Sequence, residues 1–329
     1  MIHLVDHLRS SSVFRVGAAG RNVALGYLGL MAVVALLAPV LATDRPLLSK
    51  TAEGWTSPAL ANAIGEHTNR SPGHNRLADE FILSAPVVFG PDSIDLRSRL
   101  TSPGRRHWFG TDELGRDVLS RVIHGSRVSL VVGLTAAVLS LSIGTLFGAV
   151  AGYYGGVYDW CISRLIELVV CFPFLFLVLA IVAIFPPSML TIVMAVGLTS
   201  WTTEARLVRG EFLKVREMEF AQAARASGAS DLRIMSRHLL PNAITPVIVL
   251  AAFGVGSAIL VESALSFLGL GIPLPASSWG SILSSADDYL GHAWWLAVFP
   301  GLAIFTTVAA CNVVGESVRA QMSRIRRRL

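Results

Sequence analysis

Six apolar stretches recur along this chain, at residues 23–42, 128–153, 165–185, 188–203, 243–268 and 293–314. A helix rises about 1.5 Å per residue, so about twenty residues cross the roughly 30 Å hydrocarbon layer of a bilayer. Each run is therefore expected to be a transmembrane helix, the sixteen residues of 188–203 either tilted little or continuing as helix into the cytosol through Leu207 and Val208. Composition agrees. Hydrophobic residues make up 53% of the chain and charged ones 15%, where a soluble globular chain carries about a quarter charged, and the mean hydropathy is +0.60. The expected fold class is all-α: a polytopic membrane protein of six transmembrane helices with a long polar connection after the first. The run 23–42 also has features of a secretory signal, since Arg21 precedes it and small residues follow, but its apolar core is long for one and further runs come after it.

Charge gives the orientation. The loop 204–242 holds Arg206, Arg209, Lys214, Arg216, Arg225, Arg233 and Arg237, and the tail holds Arg319, Arg324, Arg326, Arg327 and Arg328. The connections after the third and fifth runs hold no Lys or Arg. By the positive-inside rule both termini and the loop face the cytoplasm. The connection 43–127 carries eleven basic residues on the outer side, but segments beyond about 60 residues translocate largely regardless of charge. The expected divisions are a cytoplasmic N-terminus at 1–22, a first span at 23–42, the outer connection 43–127, a five-helix core at 128–314 enclosing the loop 204–242, and a basic tail at 315–329. A basic chain with pI near 9.5 invites a nucleic-acid reading, yet no aromatic-basic module is present, and membrane topology accounts for the charge.

Between the fourth and fifth runs lies Glu219-Phe-Ala-Gln-Ala-Ala-Arg-Ala-Ser-Gly228, followed by a polar stretch to Pro241 and Asn242. Helix formers without an internal Pro or Gly predict a helix over 215–227. Gly228 is placed to close it in the left-handed conformation, and Ser230 or Asp231 to cap a second helix that runs to Pro241. This stretch resembles the coupling loop of ABC importer permeases, in which Glu-Ala-Ala, three residues, Gly, nine residues and Ile-x-Leu-Pro follow one another. Gln222-Ala223-Ala224, Gly228 and His238-Leu239-Leu240-Pro241 keep the spacing. Gln222 stands for the acid and His238 for the isoleucine, while Glu219 lies one turn before Gln222. The resemblance implies that Glu219, Gln222, Ala223, Ala224, Gly228, His238 and Pro241 meet a separate ATPase, small side chains allowing close backbone approach.

Two further stretches narrow the resemblance to the dipeptide, oligopeptide and nickel branch. One is His107-Trp-Phe-Gly-Thr-Asp-Glu-Leu-Gly-Arg-Asp-Val-Leu-Ser-Arg121 and the residues up to Leu130. The other is Ser266-Phe-Leu-Gly-Leu-Gly271 with Pro273, Pro275 and Ser278-Trp279-Gly280. From the residues alone, Thr111 or Asp112 is placed to cap a short amphipathic helix with Leu114, Val118, Leu119 and Val122 on one face. Glu262 lies inside the fifth run, where a carboxylate must face protein or water. With Ser263, Ser266 and Trp279 it is a candidate for the substrate path, and equally for a bond between helices. Gly144, Gly148 and Gly152 form a small-xxx-small series that favours close packing. Pro173 predicts a kink in the third run, and Arg164 with Glu167 an ion pair on one helical face. His67 and His74 lie in a polar stretch and read as solvated rather than as metal ligands. Cys161, Cys171 and Cys311 have no metal spacing.

No GxxxxGK[ST], GxSxG or HExxH occurs, so the chain itself lacks the phosphate cradle of a P-loop and the hydrolytic motifs. No cofactor is expected in it. The resemblance implies that ATP and Mg²⁺ are held by two partner P-loop ATPases, and that a second permease and an extracytoplasmic binding protein complete an importer for di- or oligopeptides. A nickel or other small-solute importer is the alternative substrate reading. An ion-coupled secondary transporter using Glu262 is the alternative class, and no inverted repeat is visible to support it.

Overall fold

The computed structural model describes residues 18–51, 54–57 and 81–326; His67 and His74 lie outside them. Helix α1 spans Ala18–Leu41. After it come three short strands, β1 (Leu48–Thr51), β2 (Gly54–Thr56) and β3 (Phe81–Leu83), which form an antiparallel sheet in the order β2-β1-β3. The core then follows as α2 (Val118–Tyr154), α3 (Gly156–Cys171), α4 (Phe174–Ile184), α5 (Met189–Val215) and α6 (Glu219–Ala226). The short α7 (Asp231–Arg233) leads through a π-helical segment, Ile234–Leu239, into α8 (Leu240–Phe267), and α9 (Trp279–Ser284) and α10 (Trp295–Arg326) complete the chain.

Among the described residues, α1, α2, α8 and α10 each contain a stretch long and apolar enough to cross a membrane, and α3 with α4 makes a fifth if the bent pair is one span. Pro173 does more than kink this pair. Phe172 is extended (φ −90°, ψ 136°), Pro173 stands as the cap of α4, and the two helices meet at 84°. A proline lacks the N–H that would bond into the preceding turn and pushes the residue before it out of the helical region, so the run breaks. Helix α5 is 27 residues long and runs past Leu207 and Val208, as expected; Glu204 and Arg206 interrupt its apolar run.

The short amphipathic helix expected after Thr111 does not form. Asp112 is spent on the turn itself: its carboxylate accepts from the backbone N–H groups of Leu114 and Arg116 and from the side chains of Arg116 (2.7 Å) and Arg121 (2.6 Å). The cap is Asp117, which accepts from Ser120 N at 2.8 Å, and from Val118 the chain is one unbroken 37-residue helix. Trp295 Nε1 donates to Thr111 O at 3.0 Å, which ties this turn to the start of α10.

In lipid, apolar side chains gain nothing by leaving the solvent, and helices associate through close packing of small residues and through polar contacts. Helix α2 follows that rule. Its buried positions include Ser126, Ser129, Gly133, Ala136, Ala137, Ser140, Gly144, Gly148 and Gly152, while Leu134, Val138 and Leu146 face outward. A Cβ added at Gly144 would lie 2.5 Å from Glu204 Cβ, at Gly148 2.5 Å from Ala205 O, and at Gly152 2.6 Å from Phe212 Cβ. The predicted glycine series is thus the track on which α5 lies. Gly133 plays the same part toward α8, where an added Cβ would lie 2.5 Å from Ile259 Cγ1. Helix α1 joins the outside of this core through Tyr27, whose hydroxyl is 2.6 Å from Thr306 Oγ1 of α10.

Gly148→Ala should force α5 away from α2 and cost about 1–3 kcal/mol, as overpacked contacts do. Gly29→Ala, on an exposed helical position with nothing within 4 Å, should leave stability unchanged or raised. Thermal unfolding of the detergent-purified chain separates the two; equal melting temperatures would contradict the packing described.

Candidate functional site

Two constellations stand out, one in the loop between α5 and α8 and one at the other end of the same helices.

The loop is anchored on one face. Ala221, Ile234 and Leu239 are buried with Ala149 and Tyr153 of α2 and Val208, Phe212 and Val215 of α5. Polar contacts add to this. Tyr153 Oη donates to Asp231 Oδ1 at 2.6 Å, Arg225 lies 5.3 Å over the Tyr153 ring, and Arg216 Nη1 donates to Gly152 O at 3.0 Å. The last carbonyls of α2 are thereby satisfied by a cation, which also suits the negative end of that helix.

Gly228 closes α6 as expected, at φ +75°. Gly228 N donates to Arg225 O at 3.0 Å and Ala229 N to Ala224 O at 3.2 Å, the paired bonds of a Schellman turn. Helix α6 is shorter than the 215–227 expected, because Arg216 to Met218 form a turn that separates it from α5. The second helix does not end at Pro241. Leu240 N reaches back five residues to Met235 O, and in the wider π turn Pro241, which has no N–H to donate, enters the first turn of α8. Loop and span are therefore one continuous helical rod from Asp231 to Phe267.

Glu219, Gln222, Ala223, Gly228 and Pro241 are exposed, and Ala224 and His238 are half-buried. Gln222 Nε2 donates to Glu217 O at 3.1 Å, bracing the turn before α6. Around them the surface presents apolar side chains the sequence did not single out: Met218 and Phe220, and Leu232, which is 76% exposed.

At the opposite end, Glu262, Ser263, Ser266 and Trp279 come together as a buried junction of α2, α8 and α9. Glu262 is fully buried. Its Oε1 accepts from Ser266 Oγ at 2.7 Å and its Oε2 from Ser129 Oγ at 3.2 Å. Ser129 Oγ in turn accepts from Trp279 N at 3.2 Å, while Trp279 Nε1 donates to Val122 O at 3.0 Å. Gly280 permits this approach, since a Cβ there would lie 2.6 Å from Ser263 Cα. Of the two sequence readings of Glu262, this geometry is that of a bond between helices. The carboxylate is absent from the wall of the cavity of about 500 Å³ that opens between α2, the α3–α4 break, α5 and α8. That wall carries Glu204 and Ser140 instead, which sequence reasoning passed over; the signal available was an acid closing the hydroxyl-rich stretch 199–203.

A family model described as the binding-protein-dependent transport system inner membrane component matches residues 144–327. The dipeptide transport system permease of Alkalihalophilus pseudofirmus is 42% identical over 222 residues, covering 68% of this chain and 73% of that one. The dipeptide transport system permease of Bacillus subtilis is 37% identical over 281 residues, 84% and 86% of the two chains. The glutathione transport system permease of Pectobacterium atrosepticum is 40% identical over 217 residues, 66% and 72%.

Glu262→Leu should leave the hydroxyls of Ser129 and Ser266 without their acceptor and cost about 1–3 kcal/mol, read as a lower melting temperature in detergent. Glu262→Gln, which keeps an acceptor oxygen, should retain both stability and transport. Loss of transport in a stable Glu262→Gln protein would contradict the junction and favour a titrating site.

Proposed function

This chain belongs to the family of binding-protein-dependent transport system inner membrane components, and from that premise we propose that it is the permease of an ATP-driven importer of di- or oligopeptides. The observation that carries the proposal is the loop between α5 and α8. It offers a short, exposed helix of small residues, Glu219–Ala226, rigidly fixed at its back to α2 and α5 and continuous at its end with α8. Such a helix suits a groove on a separate protein, with Ala223 allowing close approach and Met218, Phe220 and Leu232 supplying apolar contact. The peptide class is supported by the dipeptide and glutathione transporters among the relatives.

In this reading the loop, the N-terminus and the basic tail lie in the cytoplasm and six spans cross the inner membrane, α5 among them. A second permease, two P-loop ATPases that hold ATP and Mg²⁺, and an extracytoplasmic binding protein complete the importer. Closure of the ATPases displaces α6. Because α6 is pinned to the end of α2 and the rod 231–267 has no break, the displacement reaches the far ends of α2 and α8 as a movement of whole helices. The Glu262 junction, holding α2, α8 and α9 together there, makes those ends move as a unit, and peptide passes from the binding protein through the cavity they border.

Gly228→Val tests the coupling. A β-branched residue at φ +75° is strained by about 1–3 kcal/mol, so the Schellman turn should open while insertion and assembly persist. Reconstituted vesicles with ATP inside and loaded binding protein outside should then hydrolyse ATP without importing labelled dipeptide. Normal uptake by this variant would overturn the role given to the loop.

A further inference from the structure

The cavity beside the Pro173 break is apolar over most of its wall, where Ala136, Phe174, Leu177 and Phe253 contribute. Its polar groups are the hydroxyls of Ser140, Thr199, Ser200, Thr202, Thr203 and Ser257 with the charged Glu204 and Arg206, and among them Ser140 of α2 and Glu204 of α5 approach from facing helices. Ser140 is 2% exposed. Its Oγ and Glu204 Oε2 are both shielded from solvent without a partner in good hydrogen-bond geometry, and the hydroxyl lies beside the carboxylate, near enough to interact with it. A buried polar atom left unpaired is costly, and a carboxylate oxygen inside a membrane protein more so. Glu204 is not displaced from this position by chance packing: its Cβ lies against Gly144, where a Cβ would come within 2.5 Å, so the glycine track of α2 fixes the place from which the side chain leaves its helix. The other ionisable group on the wall, Arg206, is exposed and directs its Nε to Thr202 O at 3.4 Å, leaving the acid without a neutralising partner at Oε2.

A cavity that is mostly apolar, with hydroxyls on its α2 and α5 sides and at its edge a shielded carboxylate that no cation of the described residues neutralises, has the chemistry to receive a cation that carries its own N–H donors. An alkylammonium fits: it brings positive charge to the carboxylate, up to three donors to Glu204 and Ser140, and an apolar stem to the remaining wall. Resting on the peptide-import reading, we infer that Glu204, with Ser140 beside it, is a transient station for the amino-terminal ammonium of the peptide during passage. Every linear peptide with a free amino terminus presents that group whatever its side chains, so a single acid serves many sequences. A lone carboxylate also holds weakly enough to let the peptide leave.

The test uses the complete complex with its binding protein in proteoliposomes. It measures uptake of labelled Ala-Ala and the ATP hydrolysis stimulated by loaded binding protein for the wild type, Glu204→Gln and Glu204→Asp. Removing a charge-assisted contact should lower uptake by Glu204→Gln about tenfold or more at saturating binding protein, with stimulated hydrolysis nearly unchanged, and Glu204→Asp should recover most of the loss. Wild-type uptake that Glu204→Gln leaves within about twofold would overturn this inference alone. Loss of the second permease from the purified Glu204→Gln complex would assign the carboxylate to a contact between subunits and overturn it as well. A wild-type complex that imports no dipeptide would overturn the peptide reading, and this inference with it.

Discussion

The contact on which the rest of this structure depends is backbone against backbone, along the glycine track of α2. Gly144, Gly148 and Gly152 leave no room for a Cβ because Glu204, Ala205, Val208 and Phe212 of α5 occupy it. In a bilayer there is no water to squeeze out from between two helices, so closeness itself supplies the attraction, through dispersion and through polar groups brought within reach of one another. That track positions Glu204 at the cavity edge. It also brings the end of α5 beside the end of α2, where Arg216 caps the Gly152 carbonyl and Tyr153 binds Asp231.

What this arrangement provides is mechanical. A surface loop carrying small residues would be free to yield if it were joined to the spans by flexible turns. Here it is fixed at three places: the buried contacts of Ala221, Ile234 and Leu239 against α2 and α5, the Arg216 and Arg225 contacts, and the uninterrupted passage of helix through the π turn into α8. At the far end the Glu262 junction joins α2, α8 and α9 by hydrogen bonds from serine hydroxyls rather than by bulk. A push at α6 is thus delivered where α2 and α8 border the cavity.

Much of this was legible in the residues. The apolar runs gave the helices, because length and hydropathy are properties of a continuous segment. The left-handed turn at Gly228 could be read because the spacing from Ala224 to Ser230 leaves glycine one role. The glycine series of α2 announced a close helix contact, though not which helix would fill it. What failed to read locally failed for tertiary reasons. Asp112 looks like a cap until Arg116 and Arg121 claim its carboxylate, which moves the helix start to Asp117. Pro241 looks like a stop until a π turn accommodates it. Glu262 drew attention as an intramembrane acid, yet the acid on the cavity wall is Glu204, which looked like the edge of a span. Periodicity cannot tell these two carboxylates apart, because the difference lies in what the neighbouring helices place beside them: serines around one, an open cavity beside the other.

The measurement that tests the central claim most directly is purification of this chain from its native membrane in mild detergent, with identification of everything that stays bound and a cross-linker placed at Ala223. The account predicts recovery of a second permease and of P-loop ATPases, with the cross-link from Ala223 made to an ATPase and altered by nucleotide. Recovery of the chain alone, still moving solute in vesicles without ATP, would contradict it.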